Sequence, residues 1–180
     1  MKPIEGYDLI SEAGEFKRLP AGIYGVKITK VVDNPANEYL EVYCDIAQDG
    51  EFKNYFETLV KSGMTDTSRS FRSYKQNALP FFKAFITAVE KTNPGYHWDW
   101  DEQKLVGKKV MAVFGEEEYK ANDGSVKIAT RCVEFRSYEA FKEGRIKVPE
   151  LKKLEEPAAP VVEESKNLEP LEIPDDELPF

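Results

Sequence analysis

Histidine and cysteine are scarce in this chain: one His97, and two cysteines, Cys44 and Cys132. A single histidine leaves no Ser-His-Asp or Cys-His pair for nucleophilic catalysis. Two cysteines far apart in strand-like segments suit small core residues of a reduced, cytosolic protein. No apolar run is long enough to cross a bilayer, so no membrane partner is expected. Met1 to Gly14 is polar and lacks the apolar centre of a secretion signal. There is no Gly-rich loop of Walker type, which removes the phosphate cradle of a motor or recombinase ATPase. His97, Asp99, Asp101 and Glu102 are the one stretch with metal-ligand chemistry. A nuclease needs carboxylates converging from separate elements, and one loop does not supply them. Glu116, Glu117 and Glu118 read as a solvated turn. Neither an enzyme nor a cofactor is therefore expected.

Positive charge is also in deficit, but unevenly. The net charge is −8 over 180 residues. From Glu150 to Phe180 there are 10 acids against 3 bases; from Met1 to Pro149 there are 23 against 22. The body is close to neutral, so the acidic total does not argue against a nucleic-acid partner. From Glu150 onward the chain has five prolines, no glycine and no aromatic residue until Phe180. Little apolar surface and much like charge predict a disordered tail over residues 149–180, attached to a domain over 1–148.

Within the domain, short strands alternate with turn signals. Ile23 to Val32 reads as a strand with Tyr24, Val26 and Ile28 on one face. Tyr39 to Ala47 alternates, placing Leu40, Val42, Cys44 and Ile46 opposite Tyr39, Glu41, Tyr43 and Asp45. Phe52 to Leu59 is a plausible third strand. Leu79, Phe82, Phe85, Ile86 and Val89 carry the spacing of a buried helical stripe over Ala78 to Lys91, with Pro80 in its first turn and Asn93-Pro94-Gly95 ending it. Two strands follow, Lys108 to Glu116 and Val126 to Arg136, around the hairpin signal Asn122-Asp123-Gly124. A short helix spans Ser137 to Glu143. Three strands, a helix and two strands is the order of the OB-fold, a mainly β five-stranded barrel with its helix between strands three and four.

Binding single strands without base preference needs cations for phosphate and flat rings for bases. Arg69-Ser70-Phe71-Arg72-Ser73-Tyr74-Lys75 interleaves three cations with two rings and contains no acid. Before the helix, it is predicted to be a loop able to close over a strand; the alternative is a basic loop with Phe71 as a core anchor. Tyr39 and Tyr43 are a second candidate, because the outer face of strands two and three is where OB-folds bind oligonucleotides. Lys53 and Tyr55 extend that platform if Phe52 to Leu59 is a strand. Equally, Tyr39 and Tyr43 would suit a subunit interface. Trp98 and Trp100 lie among acids that repel phosphate, which favours a structural loop packed on the barrel.

The last six residues are Asp175, Asp176, Glu177, Leu178, Pro179 and Phe180. A terminal ring beside its own carboxylate is an apolar anchor with a charged handle, suited to a pocket with one hydrophobic slot and a basic rim; the alternative is an acidic, disordered end that keeps the chain soluble. This segment resembles the acidic tip that ends bacterial single-stranded-DNA-binding proteins. Leu19-Pro20-Ala21-Gly22, Phe71-Arg72-Ser73-Tyr74-Lys75 and Leu105-Val106-Gly107-Lys108-Lys109 extend the likeness to the binding proteins carried by phages and mobile elements of Gram-positive bacteria. The resemblance implies a homo-oligomer coating single-stranded DNA in a bacterial host cell. It also implies a tip that recruits host or phage replication, recombination and repair proteins. The body lacks close likeness to the bacterial housekeeping proteins, so no DNA-contact residue is carried over from them. The rival reading is an interaction module, or decoy, whose tip diverts host proteins while the body binds no DNA.

Overall fold

The structure, a computed structural model, describes residues 2, 3, 7 and 17–154. Its frame is one antiparallel sheet built from β1 (Gly22–Asn34), β2 (Tyr39–Ile46), β3 (Ser70–Ser73), β4 (Lys109–Lys120) and β5 (Val126–Arg136). The strand order is β3-β2-β1-β4-β5. Among the described residues, α-helices decorate it at α1 (Tyr55–Lys61), α2 (Leu79–Thr92) and α3 (Tyr138–Lys142). The protein is thus mainly β, with a helix after the third strand.

The inner face follows the alternation in the sequence. Leu40, Val42, Cys44 and Ile46 of β2 are all buried, as are Val26, Ile28 and Val31 of β1. An irregularity between Ile28 and Lys30 shifts the β1–β2 register, so inward residues change from even to odd numbers. Helix α2 closes this face with Phe82, Phe85, Ile86 and Val89, all buried. Each such side chain contributes roughly 1.5–3 kcal/mol by leaving water. Asn93 ends α2 and ties it to the sheet: its Nδ2 donates to the carbonyls of Val89 and Lys109, both at 2.7 Å, and its Oδ1 accepts from Lys109 N–H. Ser137 caps α3 by accepting from Ala140 N–H at 3.2 Å.

Two expectations about local structure are corrected. Phe52 to Leu59 is not a strand; it is a turn leading into α1. Phe52, Tyr55, Phe56 and Leu59 lie three, four and seven apart, a helical stripe. Asp45 fixes the start of α1: its carboxylate accepts from the N–H groups of Ile46, Phe56 and Glu57 at 2.8, 3.0 and 2.9 Å. Asp45 was expected on the outer face and is buried. Burial raises its pKa, and the three N–H donors oppose that rise.

The second correction concerns Ser70 to Ser73, which is not a loop but β3 itself, paired to β2 with Phe71 opposite Glu41 and Ser73 opposite Tyr39. Farther on, residues 149–154 lie against β4. Glu118 N–H donates to the Lys152 carbonyl and Lys152 N–H to the Glu116 carbonyl, both at 2.9 Å. A Cβ on Gly115 would meet the Pro149 ring at 2.8 Å, so this contact needs glycine. The expected boundary at Pro149 therefore falls on a segment that stays hydrogen-bonded to β4 as far as Leu154.

Candidate nucleic-acid interface

The pairing of β1, β2 and β3 assembles a small aromatic surface on the outer face of the sheet. Tyr39, Glu41 and Tyr43 project from β2; Lys30 lies opposite Tyr43, and Phe71 opposite Glu41. The Tyr39 and Phe71 rings meet edge to face, 5.1 Å apart. The Arg69 guanidinium lies 5.0 Å from the Phe71 ring centre, and Lys30 Nζ 5.1 Å from that of Tyr43. Phe71 is 51% exposed, so it is no core anchor.

One acid sits among these rings. Glu41 accepts from the Tyr43 hydroxyl at 2.9 Å and faces Arg69 at 3.8 Å. Desolvation and then Glu41 push the Tyr43 phenol pKa up, while Arg69 pulls it down. Tyr43 therefore stays a neutral donor. With Lys30 and Arg69 against Glu41, the platform is cationic by one charge. Lys75 is exposed just beyond the end of β3.

Four of the residues expected here lie elsewhere. Arg72 points to the opposite side of β3. Its guanidinium donates to the Val133 carbonyl of β5 at 3.3 and 3.4 Å and to Ser70 Oγ at 3.2 Å, and lies 4.7 Å from the Phe135 ring centre. Tyr74 turns inward against Phe82, and its hydroxyl donates to Asp33 at 2.8 Å. Because Phe52 to Leu59 is not a strand, Lys53 and Tyr55 do not extend the platform. Lys53 pairs with Asp49 at 2.5 Å, and the Tyr55 hydroxyl accepts from Leu19 N–H at 3.1 Å beneath Phe52 and Phe56. Lys30 had not been expected. The register irregularity that turns it outward has no signature in the alternation of β1.

Rings and acids also gather on other surfaces. A groove of about 890 Å³ between α2 and β5 holds Lys83, Lys91, Arg136 and Arg145 beside Phe81. Three of those cations are already engaged: Lys91 with Glu139 at 3.6 Å, Arg136 with Glu134 at 2.8 Å, and Arg145 with Glu143. The His97–Glu102 stretch does not gather a metal site; among the described residues, no three His, Cys, Asp or Glu side chains converge. Residues Asp175 to Phe180 lie outside the described residues.

No protein-family model matches the chain, and no curated protein matches it.

Proposed function

We propose that this protein binds single-stranded DNA without base preference on the outer face of β1–β3, and offers Asp175–Phe180 to DNA-processing proteins. The observation that carries the reading is the Tyr39–Phe71 pair with Arg69 stacked on Phe71. Rings take bases and the flanking cations take phosphates, with each stacked base worth about 1–3 kcal/mol. Tyr39, Tyr43 and Phe71 are the stacking residues in this reading; Arg69, Lys30 and the exposed Lys75 are the phosphate contacts. We further propose that the sheet is an OB-type barrel, with the Arg72 side chain spanning the seam between β3 and β5. Strand order and the helix after the third strand support this, and OB barrels are partly open.

The excess acid of Glu150–Phe180 competes with DNA for Arg69 and Lys30. Deleting Val161–Phe180 is expected to tighten DNA binding and to abolish recruitment of partners.

The deciding experiment titrates labelled oligo-dT and the matching duplex at two salt concentrations, with the wild-type chain and Phe71→Ala. Binding to oligo-dT that falls steeply with salt and weakens in the variant supports the reading. Equal, feeble binding to both substrates overturns it. The decoy reading rests on Glu41 within the platform, and it is the one such a result would favour.

A further inference from the structure

On the inner side of the same strands, at the end where β1 turns into β2, a cleft of about 270 Å³ opens between the sheet, α2 and the segment before β4. Its walls are apolar and flat: Tyr74, Phe82, Trp98 and Trp100, with Leu40 and Leu79. Trp98 packs edge-on to Phe82 at 6.3 Å, and Trp100 lies tilted against Trp98 at 6.1 Å. Trp100 is 82% exposed, on a backbone with φ +68° that a bulky side chain rarely adopts. The indole is thus held out in water beside a hollow that has room for a flat group. Trp98 Nε1 is sealed from solvent, so it offers the cleft no donor.

The charge around the hollow has one sign. Asp33 and Glu102 line it, and no cation does. Asp33 accepts from the Tyr74 hydroxyl, and Glu102 from Gln103 Nε2 at 3.1 Å. Asp99 and Asp101 stand in the same segment, answered only by Lys104. Burial, with Asp33 and Glu38 adding to it, pushes the Tyr74 phenol up to about 12. A stacked nucleotide would bring its phosphate within a Debye length of these carboxylates, so the rings here are not a continuation of the DNA platform.

We propose that this cleft is a binding site for an arginine side chain presented by a partner protein. A guanidinium is planar, stacks on aromatic faces and pairs with carboxylates in a fork, and this wall-and-rim arrangement meets all three properties. A second copy is the less suited occupant: Arg72 is held by Val133, and Arg18, Arg131, Arg136 and Arg145 would each have to leave Glu116, Glu117, Glu134 and Glu143. The inference stands apart from the DNA reading and uses none of its residues.

Trp98 and Trp100 are the chain's only tryptophans, so tryptophan fluorescence, excited to the red of tyrosine absorption, reports on this cleft. The full chain is titrated with acetyl-Gly-Arg-Gly-amide, with the same peptide carrying neutral citrulline, and with oligo-dT. A saturable change with the arginine peptide at about millimolar concentration is expected, at least tenfold weaker with citrulline. Asp33→Asn with Glu102→Gln is expected to lose at least tenfold, with the urea midpoint checked alongside. The wild-type comparison of arginine with citrulline decides the matter even if the double variant fails to fold. No saturable change, an equal response to citrulline, or a tryptophan response to oligo-dT alone overturns the proposal.

Discussion

Two aromatic surfaces lie back to back on the same short strands, and their difference is in charge rather than in rings. Neighbours on the chain divide between them: Tyr39 faces outward to Phe71, whereas Leu40 lines the inner cleft; Phe71 faces outward, whereas Tyr74 lines the cleft. The outer rings are flanked by Lys30 and Arg69, and the inner ones by Asp33 and Glu102. A π-face is indifferent to which base or cation covers it. The charge placed a few ångströms away decides which arrives. Counting aromatic residues along the chain cannot separate the two surfaces; the parity of β2 and β3 does.

The sharpest way to break this contrast is to remove one ring from each side. Phe71→Ala is expected to weaken oligo-dT binding by about 5- to 150-fold, the equivalent of one stacked base at about 1–3 kcal/mol. Adding Tyr39→Ala should weaken it further. Trp100→Ala is expected to leave the same affinity within about twofold. Fluorescence anisotropy of labelled oligo-dT measures all three. A larger loss in Trp100→Ala than in Phe71→Ala would mean that the DNA runs on the inner side.

Arg72 tests the contrast by its position on the dividing line. Its hydrogen bonds to Val133 and its contact with Phe135 join β3 to β5, so Arg72→Ala is expected to cost about 2–4 kcal/mol of stability, read as a lower urea midpoint. Oligo-dT affinity of the folded variant should stay within a few-fold. An unchanged midpoint together with a loss of binding would return Arg72 to the proposed DNA face.

Much of this was legible in the sequence. The buried row Leu40, Val42, Cys44 and Ile46 and the stripe of α2 followed from spacing, and the β4–β5 hairpin from the turn signal Asn122-Asp123-Gly124. What was not legible depended on partners distant in the chain. Asp45 starts a helix 10 residues later, which turns Phe52 to Leu59 away from a strand. The alternation of Ser70 to Ser73 was the available signal that Phe71 and Arg72 face opposite ways. A segment so rich in cations reads as a loop instead, because composition says nothing of facing. Lys30 needed the register shift in β1, which no local pattern announces.

Salt dependence sharpens the charge side of the comparison. Taking away one cation that meets a phosphate should make the fall of log K with log salt shallower by about 0.7 for a single strand. Arg69→Ala and Lys30→Ala are each expected to do so, while Asp33→Asn and Glu102→Gln should leave the slope as it is. Equal slopes for all four variants would remove Arg69 and Lys30 from the phosphate path.

Glu41 gives the smallest effect and the most direct reading of what an acid does inside the platform. It holds the Tyr43 hydroxyl at 2.9 Å and Arg69 at 3.8 Å, so it occupies two groups of the proposed DNA surface. Glu41→Gln keeps the size and a hydrogen-bond acceptor for Tyr43 while removing the charge. An exposed ion pair is worth about 0.2–1 kcal/mol, so oligo-dT should bind up to about fivefold more tightly in low salt, with the gain fading as salt rises. If DNA instead binds more weakly, Glu41 holds Arg69 in its binding pose. If binding does not change at any salt, Arg69 does not meet DNA where it stands beside Phe71.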